Sequence, residues 1–305
     1  MSGDNNHEIF QNHEVKWRGC TVFFSGAAGA DESLFGYLRG AETLPKGATE
    51  LVQQVTRRWD KGAGNYTAYD SKTELEYGVT DRFTSAVYLM GQSVNTQGLL
   101  IDGYIPKDER SGFKLSGLEV SAKYNFLSPA KDGFGLAAYV SGAYSTLDPH
   151  SGQKKDKYTI ETWLLAQKNF LDDQLIWVGN LGLESTYAKR KPLDELPVDF
   201  NWPTGPEMEI GILAGTGVSY RVAPKWFIGA EALYDTEFET GVGQERWTVQ
   251  AGPNIHYGDK NWWFTLSWLP QLRGGGEKFS EQNDTKLHLI EKTKQEVRLK
   301  IGFNF

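Results

Sequence analysis

The stretch Lys294-Gln295-Glu296-Val297-Arg298-Leu299-Lys300-Ile301-Gly302-Phe303-Asn304-Phe305 decides the fold. Side chains of an extended chain point alternately to opposite faces. Here Val297, Leu299, Ile301, Phe303 and Phe305 share one face, and Lys294, Glu296, Arg298 and Lys300 share the other. The same division runs through 244–258, where Trp247, Val249, Ala251, Ile255 and Tyr257 oppose Arg246, Thr248, Gln250, Asn254 and His256. It recurs in 206–222, with Met208, Ile210, Ile212, Val218 and Tyr220 against Glu207, Glu209, Ser219 and Arg221. A period of two over this length predicts long, two-faced strands.

Working outward, the pattern predicts about twelve strands, over 48–59, 64–79, 82–95, 111–127, 133–146, 156–170, 174–189, 206–222, 225–239, 244–258, 261–275 and 289–305. Most are about twice the length usual in soluble proteins and suit a tilted membrane strand. The first and third alternate less cleanly. Connections at Thr80-Asp81, Ser128–Asp132, Leu171–Asp173, Ala223-Pro224 and Asp259-Lys260 are short, whereas 96–110, 190–205 and 276–288 are long. Short turns at one end and long loops at the other, with an even strand count, place both termini at the periplasmic end of a barrel.

Alternation does not say which face is the core, so a soluble barrel or sandwich competes with a membrane barrel. Aromatic placement favours the membrane. On the apolar face Tyr124, Phe126, Phe170, Trp177, Tyr220, Trp226, Tyr257, Trp262 and Phe303 fall near the short-turn end. Trp59, Tyr144, Tyr158, Tyr187 and Trp247 fall near the long-loop end. Two aromatic belts are what two lipid–water interfaces select, since amphipathic rings sit best at headgroup level. The predicted fold is therefore an all-β, closed antiparallel transmembrane barrel of about twelve strands in the outer membrane of a Gram-negative bacterium. Phe303 and Phe305 on the last strand resemble the C-terminal signal read by the barrel-assembly machinery, which would be a partner along with outer-membrane lipids.

Composition agrees. The chain has 34 glycines, 13 % aromatic residues and three methionines, a mixture that suits strands and turns. A net charge of −7 without a basic block argues against nucleic acid as a partner. No apolar run is long enough for a spanning helix, and a mean hydropathy of −0.48 is compatible with a barrel whose inward residues are polar. Lys16 and Arg18 before the apolar stretch Cys20–Ala28, with Ala28-Gly29-Ala30, predict an export leader over 1–30, short and preceded by unusual polar residues. Trp17 stands three places before Cys20, where a lipoprotein leader needs an aliphatic residue. Removal of 1–30 would leave a cysteine-free chain of charge −6. Residues 31–47 carry the apolar Leu34-Phe35-Gly36-Tyr37-Leu38 and would either tuck into the barrel as a plug or lie at the periplasmic rim; 48–305 would form the barrel.

The belts, the last strand, Asp148-Pro149-His150-Ser151-Gly152-Gln153 and Gln167-Lys168-Asn169-Phe170-Leu171-Asp172-Asp173-Gln174 together resemble an uncharacterised family of proteobacterial outer-membrane β-barrel proteins. The resemblance implies fold and location, with no activity or substrate attached.

Twelve strands predict a narrow lumen, so its lining decides function. Alternation places Glu74, Glu76, Glu119, Glu161, Glu184, Glu209, Glu231 and Asp235 inward from strands two to nine. Arg246, Lys294, Arg298 and Lys300 face inward from strands ten and twelve. An acidic wall facing a basic one would screen small polar or charged solutes by charge and dipole, giving a porin-like pore. The competing reading is that these charges pair across the lumen and close it, leaving a barrel that docks partners through its loops. A membrane hydrolase is a weaker third reading. After the leader only His150, His256 and His288 could act as bases, the first and last in external loops where a solvated role is the default. No His/Cys spacing predicts a metal or cofactor. Arg273-Gly274-Gly275-Gly276 reads as an external loop. Lys189-Arg190-Lys191 at the outer rim would contact lipopolysaccharide phosphates.

Overall fold

The computed structural model describes residues 34–100, 108–194, 196, 202–279 and 282–305, the side chains of 99 and 100 excepted; the predicted leader lies outside them. The strands are β1 Thr49–Trp59, β2 Ala63–Thr80, β3 Phe83–Leu100, β4 Lys114–Leu127, β5 Gly135–Leu147, β6 Lys154–Phe170 and β7 Leu175–Arg190. They continue with β8 Pro206–Ala223, β9 Trp226–Glu239, β10 Gly243–Gly258, β11 Trp262–Trp268, β12 Gln271–Gly276 and β13 Gln295–Asn304. One helical turn, α1 Pro129–Asp132, joins β4 to β5.

From β1 to β10 each strand pairs antiparallel with the next, β10 pairs in turn with β11 and β12, and β13 pairs with both β1 and β11, so the sheet closes. Closure removes the free edges that invite aggregation. β11 and β12 are two pieces of one stave, both on β10. The break falls at Leu269-Pro270, where proline has no N–H to give the ladder. The ring therefore has twelve staves. Phe305 N–H donates to Thr49 O at 2.9 Å, so the last residue lies beside the start of β1.

The apolar face points outward. Leu75, Val87, Leu118, Ile160, Leu183 and Ile210 are all exposed, whereas Glu119, Gln167, Ser219, Glu231 and Thr248 are buried inside. This inverts a soluble barrel and settles the ambiguity of face, because only a lipid surround stabilises an apolar exterior of this extent. The belts are physical clusters. Tyr257 lies 5.0 Å from Trp226 and 5.2 Å from Trp262 at the short-turn end, and Tyr144 lies 4.9 Å from Tyr158 at the other. Leu171, Asp172 and Asp173 all take positive φ, which compresses the β6–β7 connection into a tight turn.

Four expectations need correction. β3 continues to Leu100 through what reads as loop, held in part by Thr96 N–H donating to Glu109 O at 2.8 Å. β13 begins at Gln295, so 289–294 belongs to a loop. Arg273–Gly276 lies within β12 and is not a loop. His288 is fully buried instead of solvated, because the segment 287–293 of the loop after β12 folds into the barrel.

Candidate functional site

Two segments enter the lumen, one from each end. The first, 34–47, lies inside the barrel and follows its inner wall down to the short-turn rim. Irregular backbone inside a barrel needs partners for its N–H and C=O groups, and here wall side chains supply them. The Glu231 carboxylate accepts from the N–H groups of Gly36, Tyr37 and Leu38 at 2.9, 2.8 and 3.1 Å. Asn180 both accepts from Arg39 N–H at 2.8 Å and donates to Arg39 O at 2.9 Å. Gln167 accepts from Ala41 N–H at 2.8 Å, Asn125 donates to Ala41 O at 2.5 Å, and Thr84 accepts from Leu44 N–H at 2.9 Å. Asp81, in the β2–β3 turn, accepts from Lys46 N–H at 2.9 Å. The anchors thus step from β9 through β7, β6, β4 and β3 to the rim.

Leu34, Phe35 and Leu38 complete this strap by packing on Ile176 and Val178, with Phe227 and Leu233 beside them. Full burial of each such side chain contributes about 1.5–3 kcal/mol. Glycine on the wall makes room: a Cβ at Gly215 would stand 2.4 Å from Leu38, and one at Gly217 2.8 Å from Phe35.

The second closure comes from the long-loop end and is built largely of ions. Arg246 on β10 pairs with Asp235, with Glu237 at 2.6 Å and with Glu291 of the 277–294 loop at 2.7 Å. Lys292 pairs with Asp235 at 3.1 Å. His288 Nε2 accepts from Glu291 N–H at 3.3 Å, and Gln271 accepts from His288 N–H at 2.7 Å. A Cβ at Gly274 would stand 2.6 Å from His288 N, so the bare strand lets the loop lie against it. Burial pushes the His288 imidazole down to about 4 against a modest opposing pull from Glu291, so it is neutral at pH 7. Burial alone would raise the Glu291 carboxyl, but the Arg246 guanidinium beside it holds it below its ordinary value. The 148–153 turn joins this closure: Arg58 donates to Pro149 O at 2.6 Å, Gln92 to Asp148 O at 2.8 Å, and Lys155 pairs with Asp148 at 3.5 Å.

Between the closures lies a chamber of ≈ 480 Å³, with Gly36, Tyr37 and Arg39 on the strap side and Pro149 and Lys292 on the loop side. A further cavity of ≈ 300 Å³ towards the loops shares Thr56, Lys157, Glu184 and Arg298 with it.

Of the charges placed inward by alternation, Glu119, Glu161, Glu184, Asp235, Arg298 and Lys300 line the chamber. Glu209 and Arg246 line the outer cavity. Glu231 is spent on the strap, and Glu74 and Glu76 stand on β2, the latter buried. Lys294 is a correction: it precedes β13, and its half-exposed ammonium stands 3.9 Å from Asp284 in the loop, clear of the chamber lining. The two-wall picture is a second correction. Lys72 pairs with Glu119 at 2.5 Å, Lys157 with Glu184 at 3.9 Å, and Lys155 with Glu207 at 3.0 Å, so cations interleave with the acids on the acidic side. Long lysine side chains reach acids one or two staves away across the curved inner wall, and these lysines follow the same alternation that located the acids. Sequence reasoning also missed Asn125, Gln167 and Asn180. Their inward parity was readable, but their partner, an extended backbone, was not.

Among the other residues singled out, His256 Nδ1 lies 2.8 Å from Thr265 Oγ1, with its ring between Phe227 and Trp263. Arg190 pairs with Glu207 and Lys191 with Asp156, which leaves Lys189 the most available of that basic triplet. Phe303 is exposed on the outer face, and Phe305, at 78 % exposure, ends the chain beside β1. Glu237, Glu245 and Glu291 bring carboxylate oxygens within 4.8 Å of one another, but Arg246 pairs with two of the three.

The fold has solved counterparts. The chain resembles the COG4313 outer membrane channel from Pseudomonas putida F1 with a TM-score of 0.58 and 14 % identity, over 87 % of this chain and 98 % of that one. It resembles the β domain of the Bordetella autotransporter BrkA with a TM-score of 0.52 and 12 % identity, over 85 % and 100 % of the two chains. At such identities the likeness is one of fold, and that fold is the outer-membrane β-barrel. A comparison with curated proteins returns no match. Residues 27–305 match the sequence profile described as DUF6662, a family of unknown function, and the chain belongs to that family.

Proposed function

We propose that the protein is a narrow outer-membrane channel for small polar or charged solutes in a Gram-negative bacterium, without enzymatic activity and with no cofactor. The supporting observation is the charged chamber of ≈ 480 Å³ retained at the centre of the barrel. A barrel serving only as an anchor gains by packing its interior, because voids forfeit dispersion and buried charges cost solvation. Here space and charge are both kept, and the segments that bound them are inserted pieces instead of wall. Outer-membrane lipids surround the apolar exterior, lipopolysaccharide meets Lys189 at the outer rim, and the last strand with Phe303 and Phe305 engages the assembly machinery.

Single-channel recording of the refolded chain in a planar bilayer tests this reading. Discrete steps are expected, and deletion of residues 34–44 is expected to enlarge them severalfold by removing the strap. A folded barrel silent both with and without the strap would sink the channel reading and favour docking through the loops.

A further inference from the structure

The chamber's charges are not all used up by one another. Lys72 is taken by Glu119, Lys157 by Glu184, Lys292 by Asp235 and Arg58 by Asp70. Among the lining groups outside this pairing, three are placed to meet a solute. Arg298 donates to Thr56 Oγ1 at 2.9 Å and Gly36 O at 3.2 Å and lies 3.8 Å over the Tyr37 ring, with no carboxylate partner among the described residues. Lys300, next on the same face, donates to Phe35 O at 3.4 Å and likewise has no ion pair among the described residues. Glu161 accepts from Trp163 Nε1 at 3.0 Å and has no ion pair among the described residues. Each of the three keeps hydrogen-bonding capacity beyond these contacts.

Their placement is set by the ring. β13 is the twelfth stave and β6 the sixth, so Arg298 and Lys300 face Glu161 from diametrically opposite walls of one chamber. Arg39, on the strap and over the Tyr139 ring at 4.2 Å, adds a third positive charge to the lining. Glu296, outward of Arg298 on β13, also lines the chamber but accepts from Tyr37 Oη at 3.3 Å and Thr293 Oγ1 at 3.4 Å, and the β13 side stays net positive.

We infer that the chamber is a binding site for a small zwitterionic solute, its carboxylate held by Arg298 and Lys300 and its ammonium group directed to Glu161. A guanidinium beside an ammonium suits a carboxylate, and in a confined space each charge left alone is costly enough to reward a ligand that answers it. A solute with both charges at opposite ends answers both walls at once, whereas a simple anion leaves Glu161 alone and a simple cation leaves Arg298 and Lys300 alone. The inference gives a substrate class to the channel proposed above and rests on that reading for its biological sense, though binding itself is an equilibrium property of the folded chain.

The test is calorimetric titration of the full refolded chain in detergent micelles with 6-aminohexanoate, hexanoate and hexylamine. 6-Aminohexanoate is expected to bind at least tenfold more tightly than either singly charged analogue. Glu161→Gln should reduce that preference over hexanoate to within about twofold, and Arg298→Gln with Lys300→Gln should abolish binding of both carboxylates. Folding of each variant is read from the shift in gel mobility on heating. To ensure entry, the titrations are repeated on Glu231→Gln, which loosens the strap. Equal binding of hexanoate and 6-aminohexanoate, or no binding even with the strap loosened, would overturn the inference. A chain that binds the zwitterion but conducts nothing keeps the site and loses the channel, and one that conducts without this preference does the reverse.

Discussion

The two segments inside the barrel close it by different physics. The strap of 34–47 is held by neutral amides, a hydroxyl, the Glu231 and Asp81 carboxylates and an apolar cluster, and most of the wall groups that hold it serve its backbone. The loop of 277–294 has a smaller apolar cluster of Phe279, Leu287 and Leu289 and backbone hydrogen bonds to Gln271 and Gly62, and adds to them side-chain charge at Arg246, Glu291 and Lys292 around Asp235 and Glu237. Backbone hydrogen bonds in a confined site respond weakly to salt and pH, while ion pairs respond to both. The strap is therefore the fixed element and the loop the adjustable one.

The largest effect should come from Glu231→Ala, which strands three buried N–H groups at about 1–3 kcal/mol each. Hydrogen exchange at Gly36, Tyr37 and Leu38 should accelerate by orders of magnitude, equally in 0.1 M and 1 M salt. A strong salt dependence would mean the two closures are not distinct. Next, Arg246→Gln leaves Asp235, Glu237 and Glu291 facing one another, and removing one partner of a buried ion cluster costs about 3–5 kcal/mol. The 277–294 loop should become sensitive to protease while exchange at the strap stays unchanged; coupled loss of both would merge the two regions into one unit.

Acid should act more gently in the same direction. His288 is held neutral in the docked loop at about 4 against an ordinary 6.5, so its contribution is complete above pH 6.5 and declines as pH falls towards 4. Glu291 is held ionised below its ordinary 4.5, so its contribution is lost as pH falls below that value. Arg246, Lys292 and Lys61 face His288 and disfavour a second positive charge there, which leaves the sign unchanged. A spin label at Lys286 should become more mobile between pH 7 and pH 4, and an unaltered spectrum would show that charge does not hold the loop. The smallest effect belongs to Lys191→Ala at the outer rim, where Lys191 and Asp156 pair in the open. No measurable change in unfolding midpoint is expected, and a clear shift would reveal that rim pairs matter as much as lumen ones.

The fold was legible in the sequence because alternation and aromatic position are local properties. Val297 to Phe305 announced both the strand and its greasy face, and the inward placement of Glu119, Glu161 and Glu231 followed from parity alone. The site was legible only in part. Parity says that Lys72 and Glu119 both point inward, yet their pairing depends on register between staves that share no contact in sequence. Pro270 was visible, but that it splits one stave into two was not. Lys294 was misplaced because the pattern runs on past the point where the ladder stops.

The sequence by itself determined a closed barrel with an apolar exterior, since each strand carries its own two-faced pattern and twelve such strands have few other ways to bury their edges. Only the tertiary structure decided what fills it. Leu34–Leu38 reads the same whether it lies at a rim or in a lumen, and Glu291 reads the same in solvent or against Arg246. The choice depends on whether distant groups such as Glu231, Asn180 and Arg246 converge on one place, and convergence is a property of closure, which no single segment encodes.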